Sequence, residues 1–321
     1  VDEKQKDLQQ PVADISSVLR PGMKAEDLLD AVLNSRDIIP WEPVALPSQG
    51  AYYKGEKGEP LMPDGMVQVR PMGIFADKAL ATARLAQSGK SLDWLFRKCV
   101  KLPEGFDPLD LIIGDRIFLL YYLRGITHGP EYEFIVKCSN ADCGKSSEQF
   151  YNLSDLIRTV VPPNESLGQE PFKVPLPYMS KVTKQEFYVG VRLLRGKDTQ
   201  DIITRRNFQN MIKPRVARPK SDVDQLNIGG VNETLDETVS KNLQLVIVHV
   251  MGIPDRSKIE KFVEQMHSED TATVREFLRE NSPGIDTQLV ITCPHCGIET
   301  TVDMPITESF FRPSRKRRTG Q

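Results

Sequence analysis

Short strand-like runs interrupt a chain whose other apolar residues recur at helical spacing, so both strands and helices are predicted. Met66-Val-Gln-Val-Arg70 alternates apolar and polar residues and reads as the first strand of a compact region. Tyr132-Glu-Phe-Ile-Val-Lys137, Phe187-Tyr-Val-Gly-Val-Arg-Leu-Leu194 and Thr287-Gln-Leu-Val-Ile-Thr292 are rich in β-branched and aromatic residues and read as further strands. Helical spacing predicts helices over 77–87 and 91–100. Asp107-Pro108 offers an N-cap and a first-turn proline for a longer helix to Thr127, and Gly129-Pro130 ends it. Helices are also predicted over 196–211, 236–250, 255–265 and 271–280, with a basic and then polar loop over 213–231. Before residue 66 the pattern is weak. Leu28, Leu29, Val32 and Leu33 mark one short helix. The rest of 1–65, including Ser48-Gln-Gly50 and Lys54-Gly-Glu-Lys-Gly58, reads as an extended N-terminal arm or loop, and an arm of this kind gains order on a partner. The predicted fold class is α+β, a mostly helical body with short β-hairpins.

Cysteine spacing adds a constraint. Four of the five cysteines fall in two knuckles, Cys138-Ser-Asn-Ala-Asp-Cys143-Gly144 and Cys293-Pro-His-Cys296-Gly297, each following a predicted strand. Pairs separated by two to four residues, each in its own hairpin, have the ligand spacing of a tetrahedral thiolate zinc site. The glycine after each second cysteine permits a positive φ, which turns backbone N–H groups toward sulfur. The reading is one structural zinc per chain on Cys138, Cys143, Cys293 and Cys296, a zinc ribbon closed between distant segments. Two disulfides or a redox dithiol at Cys293 and Cys296 are the alternatives. A redox dithiol normally opens a helix, whereas β-type residues surround this one. His295 lies in the second knuckle, but four thiolates already complete a shell. Cys99 has no such neighbour and reads as a buried core thiol.

Composition narrows the function classes. The chain has 321 residues, 27% charged and 39% hydrophobic, with a net charge of −2. Such a balance argues against a dedicated nucleic-acid binder, which carries a strong basic excess. No segment is apolar enough to span a membrane: the most apolar helix contains Asp110, Asp115 and Arg116. The opening Val1-Asp-Glu-Lys-Gln-Lys is charged and has no apolar core behind it, so no secretory leader is expected and a reducing compartment is. The tail Arg312-Pro-Ser-Arg-Lys-Arg-Arg-Thr-Gly-Gln321 carries five positive charges and no acid. It reads either as solvated or as docked to an acidic protein groove or to nucleic acid, an acidic neighbouring subunit being the expected target in an assembly.

Catalytic signatures are missing. Gly89-Lys90-Ser91 resembles the end of a phosphate-binding loop, but the required first glycine is replaced by Arg84. His128 sits at a helix end and His249 in an apolar run, both readable as structural. A buried Asp115 needs a partner, and Arg70 or Arg192 is the expected one.

The two halves of the compact region, 66–151 and 186–304, align weakly. Val67-Gln-Val-Arg70 matches Val189-Gly-Val-Arg192, an acidic helix start follows at Asp77 and at Asp198, and each half ends in a knuckle. An old duplication would explain this. The expected organisation is an arm over 1–65, a zinc-stapled body over 66–311 and a basic tail over 312–321.

In this order the motifs resemble the baseplate hub and assembly proteins of T-even-type contractile-tailed phages. The residues that carry the resemblance are Val69-Arg-Pro-Met72; Gly114-Asp-Arg-Ile-Phe-Leu-Leu-Tyr-Tyr-Leu-Arg124 with Thr127-His-Gly129; the first knuckle after Glu133-Phe-Ile-Val-Lys137; and Cys293-Pro-His-Cys296-Gly297 ahead of Phe310-Phe-Arg-Pro313. The resemblance spans about 66–312. It implies a non-enzymatic protein of the virion tail baseplate, assembled in the host cytoplasm, with baseplate hub, wedge or tail-tube proteins as partners. It implies neither a small-molecule substrate nor a membrane span.

Overall fold

The structure, a computed structural model, describes residues 22–34, 39–55, 57–81, 90–198, 238–306 and 308–311. A helix, α1 (Ala25–Asn34), comes first, where the leucine spacing predicts one. Strands β1 (Glu42–Ala45), β2 (Met66–Val69) and β3 (Val100–Lys101) form an antiparallel sheet in the order β1-β2-β3. Helices α2 (Ile74–Ala81) and α3 (Lys90–Cys99) lie between β2 and β3. Helix α4 (Ile113–His128) then leads into a hairpin of β4 (Glu131–Lys137) and β5 (Ser146–Asn152).

A comparable succession follows α5 (Leu153–Ile157) and β6 (Val160–Val161). Strands β7 (Phe172–Pro175), β8 (Tyr188–Val191) and β9 (Ile247–Val250) form a second antiparallel sheet, again with the middle strand central. Helix α6 (Pro177–Thr183) joins β7 to β8, and α7 (Thr238–Val246) runs directly into β9. Helices α8 (Arg256–Glu264) and α9 (Ser268–Asn281) and strand β10 (Gly284–Ile285) precede the second hairpin, β11 (Gln288–Thr292) with β12 (Glu299–Asp303). Helix α10 (Glu308–Phe311) closes the described chain.

The two sheets agree bond by bond. The N–H of Leu46, just past β1, donates to Gly65 O at 2.8 Å; that of Leu176, just past β7, donates to Phe187 O at 2.8 Å. Arg70 N–H donates to Cys99 O at 2.9 Å, and Arg192 N–H to Val246 O at 2.9 Å. Each long helix carries a fully buried aspartate at its third residue, Asp115 in α4 and Asp270 in α9. Each of these accepts a backbone N–H two residues beyond the leucine: Ser48 N to Asp115 at 3.0 Å, Tyr178 N to Asp270 at 2.8 Å.

One apolar core runs through both halves and includes Leu46, Leu119, Leu123, Leu176, Val189 and Val274. The halves interlock along Leu111–Ile113. Ile113 N–H donates to Leu194 O at 2.9 Å and Gly196 N–H to Leu111 O at 3.0 Å. Gly114 packs so close to β10 that a Cβ there would lie 1.8 Å from Pro283 O.

Several expectations need correction. The arm over 1–65 is too long: β1 pairs with β2, and Val44, Leu46, Tyr53 and Met62 are buried in the core. The alternation signal misses this because Glu42-Pro-Val-Ala45 is short and holds a proline. The body is less helical than expected, since it carries two three-stranded sheets as well as hairpins. The helix from Asp107 is broken. Asp107 caps one 3₁₀ turn, Pro108–Asp110, and the chain extends at Leu111 before α4 begins. The helix expected to Val250 stops at Val246, because the β-branched run Ile247-Val248-His249-Val250 completes the second sheet. Gly196 to Asp198 begin a helix as expected, but its continuation and the 213–231 loop lie outside the described residues. Nor do the Asp77 side chain and the basic tail fall within them.

Candidate metal centre

The hairpin β4–β5 places the first knuckle and β11–β12 the second, each as the turn between paired strands. Matching backbone bonds close the two turns: Cys138 N–H donates to Lys145 O at 2.9 Å and Cys293 N–H to Ile298 O at 2.9 Å. Gly144 and Gly297 have φ of 52° and 73°, the left-handed conformation that their position in the knuckles predicts.

The turns meet head to head. Cys138 Sγ lies 3.6 Å from Cys296 Sγ, and Cys143 Sγ lies 3.9 Å from Cys293 Sγ. All four sulfurs fall within 4.8 Å of one another. A tetrahedral zinc with Zn–S bonds of about 2.3 Å sets its sulfurs about 3.8 Å apart, so the donor set fits that ion. The spacing is far beyond a disulfide bond, about 2.05 Å. Ser139 and Thr300 join the turns by a hydroxyl–hydroxyl bond of 2.8 Å.

The thiols are electrostatically unequal. The backbone N–H of His295 draws the Cys293 thiol down to about 7 against the opposing effect of burial. At Cys138 the backbone N–H of Asn140 acts in the same direction, but burial and the other three thiols outweigh it and push the thiol up to about 12. Four thiolates this close would repel one another, and a bound cation offsets that repulsion, so metal binding would release the thiol protons. His295 is exposed and is not among the clustered donors. Cys99 is fully buried away from them, and burial raises its thiol to about 12, as a core thiol should behave.

The other polar residues singled out in the sequence hold the frame. Asp115 pairs with neither Arg70 nor Arg192. It accepts from Ser48 N–H, from Ser48 Oγ and from Tyr53 Oη, the last two at 2.5 Å. Burial raises its carboxyl, and these bonds offset part of that rise. Arg116 pairs with buried Asp93 at 2.5 Å, and Arg192 holds Asp198 through two bonds of 2.8 Å. Thr127 receives Met72 N–H at 2.9 Å, tying Val69-Arg-Pro-Met72 to the end of α4. Buried Arg124 binds Gly129 O and Glu131 O and so fixes the turn into β4. His249 accepts from Gly252 N–H at 3.2 Å, a structural bond. Ser48, Tyr53, Asp93 and Asp270 carry no local sequence signal, because their partners lie 23 to 92 positions away.

Among the described residues, the polar side chains singled out in the sequence are committed to internal bonds, and a cluster of four thiols lies where the two hairpins meet. The chain belongs to the T4 bacteriophage base plate protein family, whose model matches residues 57–312, more than half of its length. That membership gives it a structural role in the phage baseplate, with protein partners there. No curated protein and no solved structure matches the chain. Among the described residues, no helix is long and apolar enough to cross a membrane.

Proposed function

We propose that the chain is a zinc-clasped connector of a contractile tail baseplate, joining neighbouring hub, tube or wedge subunits through protein contacts. The observation that carries this reading is the convergence of four thiols from two hairpins, all within 4.8 Å of one another, in a chain of the baseplate family. Cys138, Cys143, Cys293 and Cys296 would hold one zinc. The ion would supply cross-linking rather than chemistry, because four thiolates leave no position for water. In this reading the halves are copies of one duplicated unit, each giving half of the metal site. The segment before β1 and the basic tail would be the reaching parts. No enzymatic step is assigned.

Elemental mass spectrometry on purified baseplates, with the chain quantified in the same sample, tests this. About one zinc per chain is expected. The chain present without metal overturns the clasp. The chain absent from mature baseplates, but bound to their precursors, makes it an assembly factor. Salt-sensitive DNA binding would instead place it with nucleic-acid-binding zinc ribbons.

A further inference from the structure

The two knuckles face each other reciprocally. Cys138, the first cysteine of its knuckle, lies 3.6 Å from Cys296, the second of the other. Cys293 and Cys143 face each other in the same first-to-second sense at 3.9 Å. Each of these close pairs spans the two hairpins. Exposure breaks the symmetry. Cys138 and Cys293 are buried and Cys143 is half-buried, whereas Cys296 is exposed. Of the four, Cys296 is the cysteine that solvent reaches most freely.

The turns are held by bonds that do not involve sulfur. Cys138 N–H donates to Lys145 O, Cys293 N–H to Ile298 O, and the Ser139 and Thr300 hydroxyls join across the junction. These bonds keep the pairs facing when the thiols change their chemical state. A disulfide has an S–S bond of about 2.05 Å, so Cys138 and Cys296 need to close by about 1.5 Å. Small side-chain rotations cover that distance. A bound zinc keeps the sulfurs as thiolates, the form that peroxides oxidise.

We infer that Cys296 is an oxidation site, at which a peroxide turns the metal clasp into a covalent one by joining Cys296 to Cys138. This inference deepens the zinc-clasp reading above and rests on it. The Cys296 thiolate attacks the O–O bond of hydrogen peroxide and becomes a sulfenic acid, and the second oxygen leaves as hydroxide. The Cys138 thiolate then attacks the Cys296 sulfur. The S–S bond forms, the S–O bond breaks and a second hydroxide leaves. Two thiolates are oxidised, one peroxide is reduced, and the zinc, deprived of two ligands, is released. A second peroxide closes Cys143 to Cys293 in the same way. A bridge within one knuckle, from Cys293 to Cys296, would leave the hairpins unjoined, whereas the cross-knuckle bridge preserves the junction. A free virion stands in oxidising surroundings, and there a baseplate chain meets this change.

The test treats the purified full-length chain with hydrogen peroxide, follows zinc release with a chromogenic chelator, and maps disulfides on peptides cut without reduction. About one zinc per chain should leave, in step with a peptide pair linking Cys138 to Cys296. The oxidised, metal-free chain should keep a melting temperature near that of the zinc form. A thiol reductant should bring it down to that of the reduced, chelated chain. Cys296→His, which leaves three cysteines and one histidine as donors, should retain zinc and lose its release by peroxide. A Cys293–Cys296 bridge, or sulfinate at Cys296 without any bridge, overturns the inference. So does zinc release from Cys296→His at the wild-type rate. If the wild-type chain binds no zinc, the clasp reading fails by itself, and the bridge mapped in the peroxide-treated chain still decides the oxidation site.

Discussion

The half over 42–152 and the half over 172–303 keep the same strand order, and they keep a buried aspartate at the same place in a long helix. What they do not keep is how the aspartate is satisfied. Asp115 receives one backbone N–H and two hydroxyls, from Ser48 and Tyr53. Asp270 receives two backbone N–H groups, from Tyr178 and Met179, where α6 starts. The shared donor is the main chain, and the side-chain donors belong to one half alone. The halves thus agree in backbone geometry more than in side chains, and their sequences align only over a few strand residues while the strand orders match.

The largest break in the comparison should come at the place where the halves share a site. Cys138→Ser and Cys293→Ser should be equally damaging, each abolishing stoichiometric zinc and lowering the melting temperature by similar amounts. Structural zinc in small peptides contributes on the order of 10–16 kcal/mol. Chelation of the wild-type protein should reproduce either variant. A Cys293→Ser protein that keeps its zinc and its melting temperature would remove the cross-link from the account.

Next in size is the aspartate pair. Asp115→Ala leaves two hydroxyls and an N–H without their acceptor, and Asp270→Ala leaves two N–H groups. Each buried unsatisfied group costs about 1–3 kcal/mol, so denaturant unfolding should show both variants destabilised, Asp115→Ala by more. Equal losses would mean that the hydroxyls around Asp115 add nothing.

A smaller effect separates the halves by pH. Burial pushes the Asp198 carboxyl up, but Arg192 and the Arg195 N–H outweigh burial and hold it below the usual carboxylate range. A carboxyl depressed by folding contributes stability above its unfolded value, and that contribution is lost as pH falls through the folded one. Asp198→Asn should therefore destabilise the protein at neutral pH and flatten the acid limb of its melting profile below about pH 4. The raised Asp115 has the opposite sign and cannot supply that limb. The smallest effect should be Ile135→Ser, an exposed change within about 0.5 kcal/mol of wild type in unfolding experiments.

The elements legible in the sequence were those with a local signature. The knuckle spacing brought four cysteines to one place, the glycines took positive φ, and α1, β2, α8 and α9 formed close to where periodicity set them. What was illegible depended on partners far along the chain. Glu42-Pro-Val-Ala45 becomes a strand because β2 offers it an edge. Ile247 to Val250 continue an apolar helical run and become β9 only because β8 lies open beside them. Electrostatics alone suggested an arginine for Asp115, whereas its partners are one backbone N–H and two hydroxyls from a segment read as arm or loop.

Gly114 has a mechanical consequence. Helix α4 touches β10 there with no room for a methyl group, and the cysteine cluster joins the halves at the far end of the hairpin that follows α4. The Leu111–Ile113 pairing and the shared core hold the halves beside that contact, so a side chain added at position 114 would have to lever β10 away from α4 against every one of these attachments.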